Sequence, residues 1–346
     1  MMTARVVATS LVALAACIVC APQSAQCLQR TYFIGAEQVT WSYAPAGRDV
    51  MFDKPLPRLA PAQLGWTYRK LVYRAFTDAS FSRRSPIVPH DAYLGTVGPV
   101  IHAAVGDTVS VTFKNLTGVR VGFQPQGGLD GPTSEPLAPG ASQSYRYRVP
   151  ESSGPGPMDV SSTLWTYRPA GADFVATDDD GLVGPIVITR RGAALANGAP
   201  ADVDREIFAV FSMSLESRSP LFKDDLSDPR LNPRRITGNA ATVLNDNLFG
   251  SINGYSFGNM PTITLGTGQR VRWYVFTTSN SFDFHDPTWN GETVVVAGHR
   301  TDTAGMTPSG TSIADMTPDN PGTWMLWCAQ NAFLDLGMYA RYDVRP

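Results

Sequence analysis

Histidine is scarce: the chain of 346 residues holds four, His90, His102, His285 and His299. Imidazole is the donor that suits copper and the other redox metals, so a supply this small bars any centre that needs many nitrogen ligands. Charge is sparse too. Asp, Glu, Lys and Arg make up 17% of the chain and nearly cancel, to a formal −2. No basic stripe is available to neutralise phosphates, which argues against nucleic acid as a partner. Cysteine numbers four, two of them inside an N-terminal leader, so a multi-disulfide framework is excluded and stability must come from packed cores. Beyond the leader no stretch offers the roughly 18 consecutive apolar residues of a membrane helix, and no hydrophobic anchor tail stands at the C-terminus. Nor is there a Ser-His-Asp, paired-carboxylate or phosphate-loop arrangement strong enough to define another enzyme class.

The leader is residues 1–26: a short basic start (1–5), an apolar run (6–21) and a small, polar stretch (22–26). That three-part pattern predicts a secretory signal and a mature protein that is secreted. Leu14, Ala15, Ala16 and Cys17 also spell a lipoprotein box, a lipid-anchored alternative against which the apolar Ile18 and Val19 count. After cleavage only Cys27 and Cys328 remain, and they can pair only if their Cα atoms lie within about 7 Å. Asn115, Leu116 and Thr117 form an N-glycosylation acceptor, expected at the surface of a glycoprotein.

The chain is 43% hydrophobic and carries 31 Gly and 27 Pro, enough for a large core broken by frequent turns. Hydrophobic residues recur with period two in residues 108–113 (TVSVTF), 144–149 (SYRYRV), 270–276 (RVRWYVF) and 282–285 (FDFH), which predicts an all-β protein. The pattern also repeats. Residues 99–113 (PVIHAAVGDTVSVTF) and 261–275 (PTITLGTGQRVRWYV) share Pro, Ile, Gly and Val at matching places, and residues 181–188 (GLVGPIVI) match 337–344 (GMYARYDV). Two related halves follow, 29–190 and 205–346, each sized for one Greek-key β-sandwich and joined by a small-residue linker at 191–204. The acidic runs 178–180 and Asp224, Asp225, Asp228 admit calcium ligation or solvated loops. The lack of alternating oxygen-donor spacing favours solvated loops.

The phrases YFIGAEQVTWSYAP (residues 32–45), RKLVYRAFTDASF (69–81), LGTVGPVIHAAVGDTVSVTFKN (94–115), GLVGPIVI, SINGYSFGNMP (251–261), VRWYVF and GTWMLWC (322–328) resemble the paired plastocyanin-like domains of the ceruloplasmin and hephaestin family of multicopper oxidases. The A domains of coagulation factors five and eight are similar. The resemblance spans nearly the whole mature chain and implies two tandem cupredoxin (plastocyanin-like) sandwiches of ferroxidase ancestry.

It also implies copper positions that can be tested one at a time. The family's oxygen-reducing trinuclear cluster takes about eight imidazoles, offered as His-x-His pairs. Gln124, Pro125 and Gln126 occupy the first pair's place, and Tyr167, Arg168, Pro169 and Ala170 the second's. No trinuclear cluster is therefore expected. For the mononuclear type 1 site the resemblance matches His285, Cys328 and Met338, with Phe333 where the second histidine would stand. At most one type 1-like copper is implied. The alternative is that His285, beside Asp286, is a hydrogen-bonded structural residue, Cys328 a buried thiol and Met338 a core filler. His90, His102 and His299 match no ligand position, and Thr189 and Gly266 stand where family members tend to have cysteine. By elimination the expected function is a secreted, non-catalytic binding or scaffold module for an unknown protein partner. A copper-binding protein with a residual site and a ferroxidase-type oxidoreductase in iron or copper homeostasis are the alternatives.

Overall fold

The computed structural model describes residues 27–169, 180–278 and 284–346. Residues 1–26 with Cys17, expected as a leader, and Ala170, Asp178, Asp179 and Phe282 lie outside the described residues.

The first half contributes β1 (Gln29–Ser42), β2 (Arg48–Asp49), β3 (Lys54–Pro55), β4 (Thr67–Ala75), β5 (Ile101–Ala104), β6 (Thr108–Asn115), β7 (Gln124–Pro125), β8 (Ser142–Arg148), β9 (Ser162–Arg168) and β10 (Gly184–Thr189). The second contributes β11 (Arg205–Leu215), α1 (Phe222–Ser227), α2 (Ala240–Asp246), β12 (Leu248–Ile252), β13 (Ile263–Gly266), β14 (Val271–Thr277), β15 (Pro287–Trp289), β16 (Val294–Val296), β17 (His299–Thr301), β18 (Thr311–Met316), β19 (Gly322–Cys328), α3 (Asn331–Asp335) and β20 (Tyr339–Arg345). One sheet of each half runs β4-β1-β6-β8 or β12-β11-β14-β18, the latter extended by β16 and β17, and the facing sheet runs β5-β10-β9-β7 or β13-β20-β19-β15. In both halves the first long strand pairs in parallel with its neighbour, β1 with β6 and β11 with β14. The duplication read from short phrases is thus a duplication of strand order.

Why these residues form strands follows from burial. In β6 every second side chain is buried, the signature of a sheet with one face in the core and one toward water. β14 and β10 are buried at every position, because both of their faces are covered. In β11 and β14, Ile207, Ala209, Phe211, Val271, Trp273 and Val275 enter the core of their own half. The alternate residues Phe208, Val210, Tyr274 and Phe276 meet Val97, Leu164, Val183 and Val187 of the first half. Each such side chain taken from water contributes about 1.5–3 kcal/mol, so the halves are held by a second apolar core between them.

Polar contacts fix how the halves meet. Lys70 of β4 donates to Glu216 at 2.5 Å, Tyr43 shares the same carboxylate, and Lys70 and Glu216 are both almost wholly buried. Arg272 grips Asp315 through Nε and Nη2 at 2.6 and 2.8 Å while its Nη1 reaches the Ser162 hydroxyl at 2.9 Å. Segment 191–204, expected as a plain linker, folds back: Leu195 N donates to Ala199 O at 2.8 Å, and Thr189 Oγ1 donates to Gly198 O at 2.8 Å.

Two expectations are corrected here. Asp225 and Asp228 are not solvated: Arg69 donates to them at 2.7 and 2.5 Å and Asp225 is buried. They counter a cation on β4, whereas Asp224 of the same run is exposed, as expected. Asn115 is not at the surface: it is 0% exposed, its Nδ2 donates to Val119 O and Leu137 O at 2.7 and 2.8 Å, and its Oδ1 accepts from Thr117. An amide nitrogen buried and committed twice to backbone carbonyls offers no acceptor for a glycan. Cys27 is exposed and Cys328 buried, with no disulfide between them. No helix among the described residues is long and apolar enough to cross a membrane.

Candidate metal centre

The fold brings His285, Cys328 and Met338 to one end of the second sandwich, inside its core. His285 exchanges two backbone hydrogen bonds with Met306, at 3.0 and 2.7 Å, just ahead of β15. Cys328 closes β19 opposite Pro287. Met338 precedes β20, and its carbonyl accepts from Cys328 N at 3.2 Å. Between Cys328 and Met338 runs α3, which carries Phe333; Met338 N donates to Phe333 O at 3.0 Å. Gly337 makes the turn into Met338 possible, since its φ is 83° and a Cβ there would stand 2.6 Å from the Phe257 ring.

His285, Cys328 and Met338 are all 0% exposed. His285 Nδ1 lies 3.6 Å from Cys328 Sγ, and Asp286 N donates to the same sulfur at 3.4 Å. The Nε2 atom of His285 is buried without a hydrogen-bond partner among the described residues. Burial pushes the imidazole down to about 4, so it is neutral at pH 7, the form that can ligate a metal or accept from a thiol. The Phe333 ring stands 4.9 Å from the His285 ring, centre to centre, and Phe211 of β11 stands 6.1 Å away on another side. Asp286 is not the partner of the His285 ring; its carboxylate takes Gln330 Nε2 at 3.3 Å.

These residues fit a four-donor blue-copper site incompletely. One imidazole, one thiol and one thioether are present, and the fourth wall is a phenyl ring without a donor atom. A set with two sulfurs among three donors suits Cu(I). Among the described residues no three His, Cys, Asp or Glu side chains converge on a common centre.

At the places of the two His-x-His pairs the side chains hold the structure together. Gln124 Oε1 accepts from Ser134 N at 2.8 Å. Tyr167 is fully buried, donates to Pro99 O at 2.7 Å and packs 4.8 Å from the Phe123 ring. Arg168 crosses between the halves to Thr277 O at 2.8 Å and Ser309 Oγ at 3.1 Å. The remaining histidines are engaged or exposed elsewhere: His102 meets Glu206 at 2.9 Å, His90 faces Asp91 at 3.6 Å and His299 is exposed. Phe211 and Gly250, which lies against Met338, were missed from the sequence because they come from strands far along the chain and carry no chemistry of their own.

Fold and site together define a protein of two cupredoxin domains with a buried imidazole–thiol contact in the second. Solved structures agree on the fold: a multicopper oxidase superposes with TM-score 0.58 over 92% of this chain and 89% of that one, at 16% identity. A copper nitrite reductase from Nitrosomonas europaea does so with TM-score 0.59 over 92% and 94%, at 15% identity. Residues 230–346 match the multicopper oxidase family model. Human hephaestin is 30% identical over 351 residues, covering 94% of this chain and 30% of that protein. Sheep (Ovis aries) ceruloplasmin is 33% identical over 341 residues, covering 91% and 32%. The chain is a ceruloplasmin- and hephaestin-like relative of the multicopper oxidases, and it spans about a third of the length of those curated relatives.

Proposed function

We propose that this chain is a secreted double cupredoxin that lacks the oxygen-reducing cluster and serves as a non-catalytic binding or scaffold module for a protein partner. The observation that carries this reading is the use of Gln124, Tyr167 and Arg168 as structural members where paired imidazoles would be needed. A cluster of about eight imidazoles has no source in a chain of four histidines. Function then rests on the surface loops that a rigid sandwich presents.

A second reading is favoured by the 3.6 Å contact between His285 and Cys328: His285, Cys328 and Met338 would hold a single copper ion, which would supply one-electron chemistry or storage. Ferroxidase activity ranks below both on donor count. The test is oxygen uptake with ferrous iron by the purified mature chain after copper loading. The expected result is no turnover above buffer; sustained turnover with several coppers per chain overturns the proposal. Copper content of the same preparation separates the first reading from the second.

A further inference from the structure

An asparagine followed by glycine is open to attack by its own backbone, because glycine carries no side chain to shield its nitrogen. The chain has three such pairs, Asn197–Gly198, Asn253–Gly254 and Asn290–Gly291. The reaction needs a carboxamide free to turn and a following N–H free to approach it, so a hydrogen bond on either group must break first.

The fold treats the three pairs differently. Asn253 is wholly buried and its carboxamide is held three times: Oδ1 accepts from Val210 N at 2.7 Å, and Nδ2 donates to Tyr93 O and Phe208 O, each at 3.0 Å. Asn197 is exposed, yet its Oδ1 accepts from Ala199 N at 3.1 Å, and the attacking nitrogen, Gly198 N, donates to Leu195 O at 2.9 Å. Asn290 is exposed in the turn between β15 and β16. Its main chain is anchored, N donating to Met325 O at 2.9 Å and O accepting from the Tyr342 hydroxyl at 2.5 Å. Neither its carboxamide nor Gly291 N has a hydrogen bond among the described residues.

We propose that Asn290 is a modification site, the position at which the folded chain spontaneously deamidates. Gly291 N attacks Asn290 Cγ and gives its proton to solvent; the new carbon–nitrogen bond closes a succinimide, and Nδ2 leaves as ammonia. Water then opens the ring to aspartate or isoaspartate. The balance is one amide and one water giving one carboxylate and ammonium, with nothing oxidised or reduced. The new charge falls in an open groove of about 550 Å³ that Glu292, Asp302 and Asp319 already line, with Arg300 as the cation among the lining residues. Deamidation therefore makes an acidic groove more acidic, and it does so whether or not the chain is a scaffold module.

The test incubates the full mature chain at mildly alkaline pH, folded and in urea, and maps aspartate and isoaspartate at the three pairs by peptide mass spectrometry. In the folded chain Asn290 should convert at least about tenfold faster than Asn197, the factor that about 1.4 kcal/mol of hydrogen bonding at Gly198 represents. Asn253 should stay intact. In urea the three should convert at similar rates. Isoelectric focusing of the folded chain should show an acidic form that runs with Asn290→Asp and that Asn290→Gln does not produce. A folded chain in which Asn290 stays intact, or in which Asn197 or Asn253 reacts first, overturns the proposal. So does the same order persisting in urea, which would assign it to neighbouring residues rather than to the fold.

Discussion

Strand pairing lets the two halves be laid over each other residue by residue. Ile101 pairs with Ile186 as Ile263 pairs with Tyr342. Gly184 then pairs with Tyr167 as Ala340 does with Leu326, and Tyr167 with Pro125 as Leu326 does with Trp289. Counting along each strand puts Val121, Pro169 and Leu182 of the first half where the second has His285, Cys328 and Met338. An independent bridge agrees: Val121 faces Leu137 and His285 faces Met306. Val121 and Leu182 are buried as deeply as their counterparts. The sandwich therefore closes equally well over hydrocarbon or over donors, and the donors of the second half are not there because the fold demands them.

The comparison breaks most severely if the halves part, and their most exacting joint is the Lys70–Glu216 pair. Lys70→Met leaves Glu216 buried beside Tyr43 without its cation. Stranding one member of a buried pair costs about 3–5 kcal/mol. Urea unfolding should show a midpoint lowered accordingly, and adding Glu216→Gln should restore much of it, since the buried charge is then gone. A midpoint that barely moves would mean the apolar interface alone fixes the halves.

Asn115 and Thr277 form a matched pair of braces. Asn115 N donates to Ala141 O as Thr277 N donates to Gly310 O, and the two side chains hold the following loops through Leu137 O and Thr307 O. Asn115→Ala leaves Val119 O and Leu137 O with only their bonds from Thr117 Oγ1 and Val121 N, strips the buried Thr117 N–H of its acceptor, and should cost about 1–3 kcal/mol, the cost of a buried group left unsatisfied. Asn115→Thr should cost clearly less, because threonine does this work in the other half. Equal losses from both variants would show that the braces are not equivalent.

How much of this was legible in the sequence depends on how far away a residue's partners lie. Residues 108–113 and 270–276 read as strands because alternation is a local consequence of one sheet face meeting the core. The same stretches do not say that Tyr274 and Phe276 face another domain while Trp273 and Val275 face their own, since both destinations are apolar. Asp225 and Asn115 were misread because polarity was taken for contact with water, whereas their partners, Arg69 and the Leu137 carbonyl, lie 156 and 22 residues away. The three donors were legible only through resemblance. The short helix α3, five residues long, is too brief to show a helical period, so the placement of the Phe333 ring against His285 came from the structure alone.

The smallest effects sharpen the comparison most, because they ask whether the second half will accept the residues of the first. His285→Val removes an imidazole that burial already disfavours in its charged form and whose Nε2 has no hydrogen-bond partner among the described residues. The lost ring contacts offset that gain, and the net cost should stay within about 2 kcal/mol. Met338→Leu conserves volume in a packed core and should cost less than about 1.5 kcal/mol, with the same unfolding slope. Both changes remove a donor, so a copper titration on each reports ligation while the unfolding curve reports packing. If Met338→Leu is instead as damaging as an alanine truncation, about 2–5 kcal/mol, the thioether is shaped to this site by packing that leucine cannot reproduce, and the equivalence of Leu182 with Met338 fails.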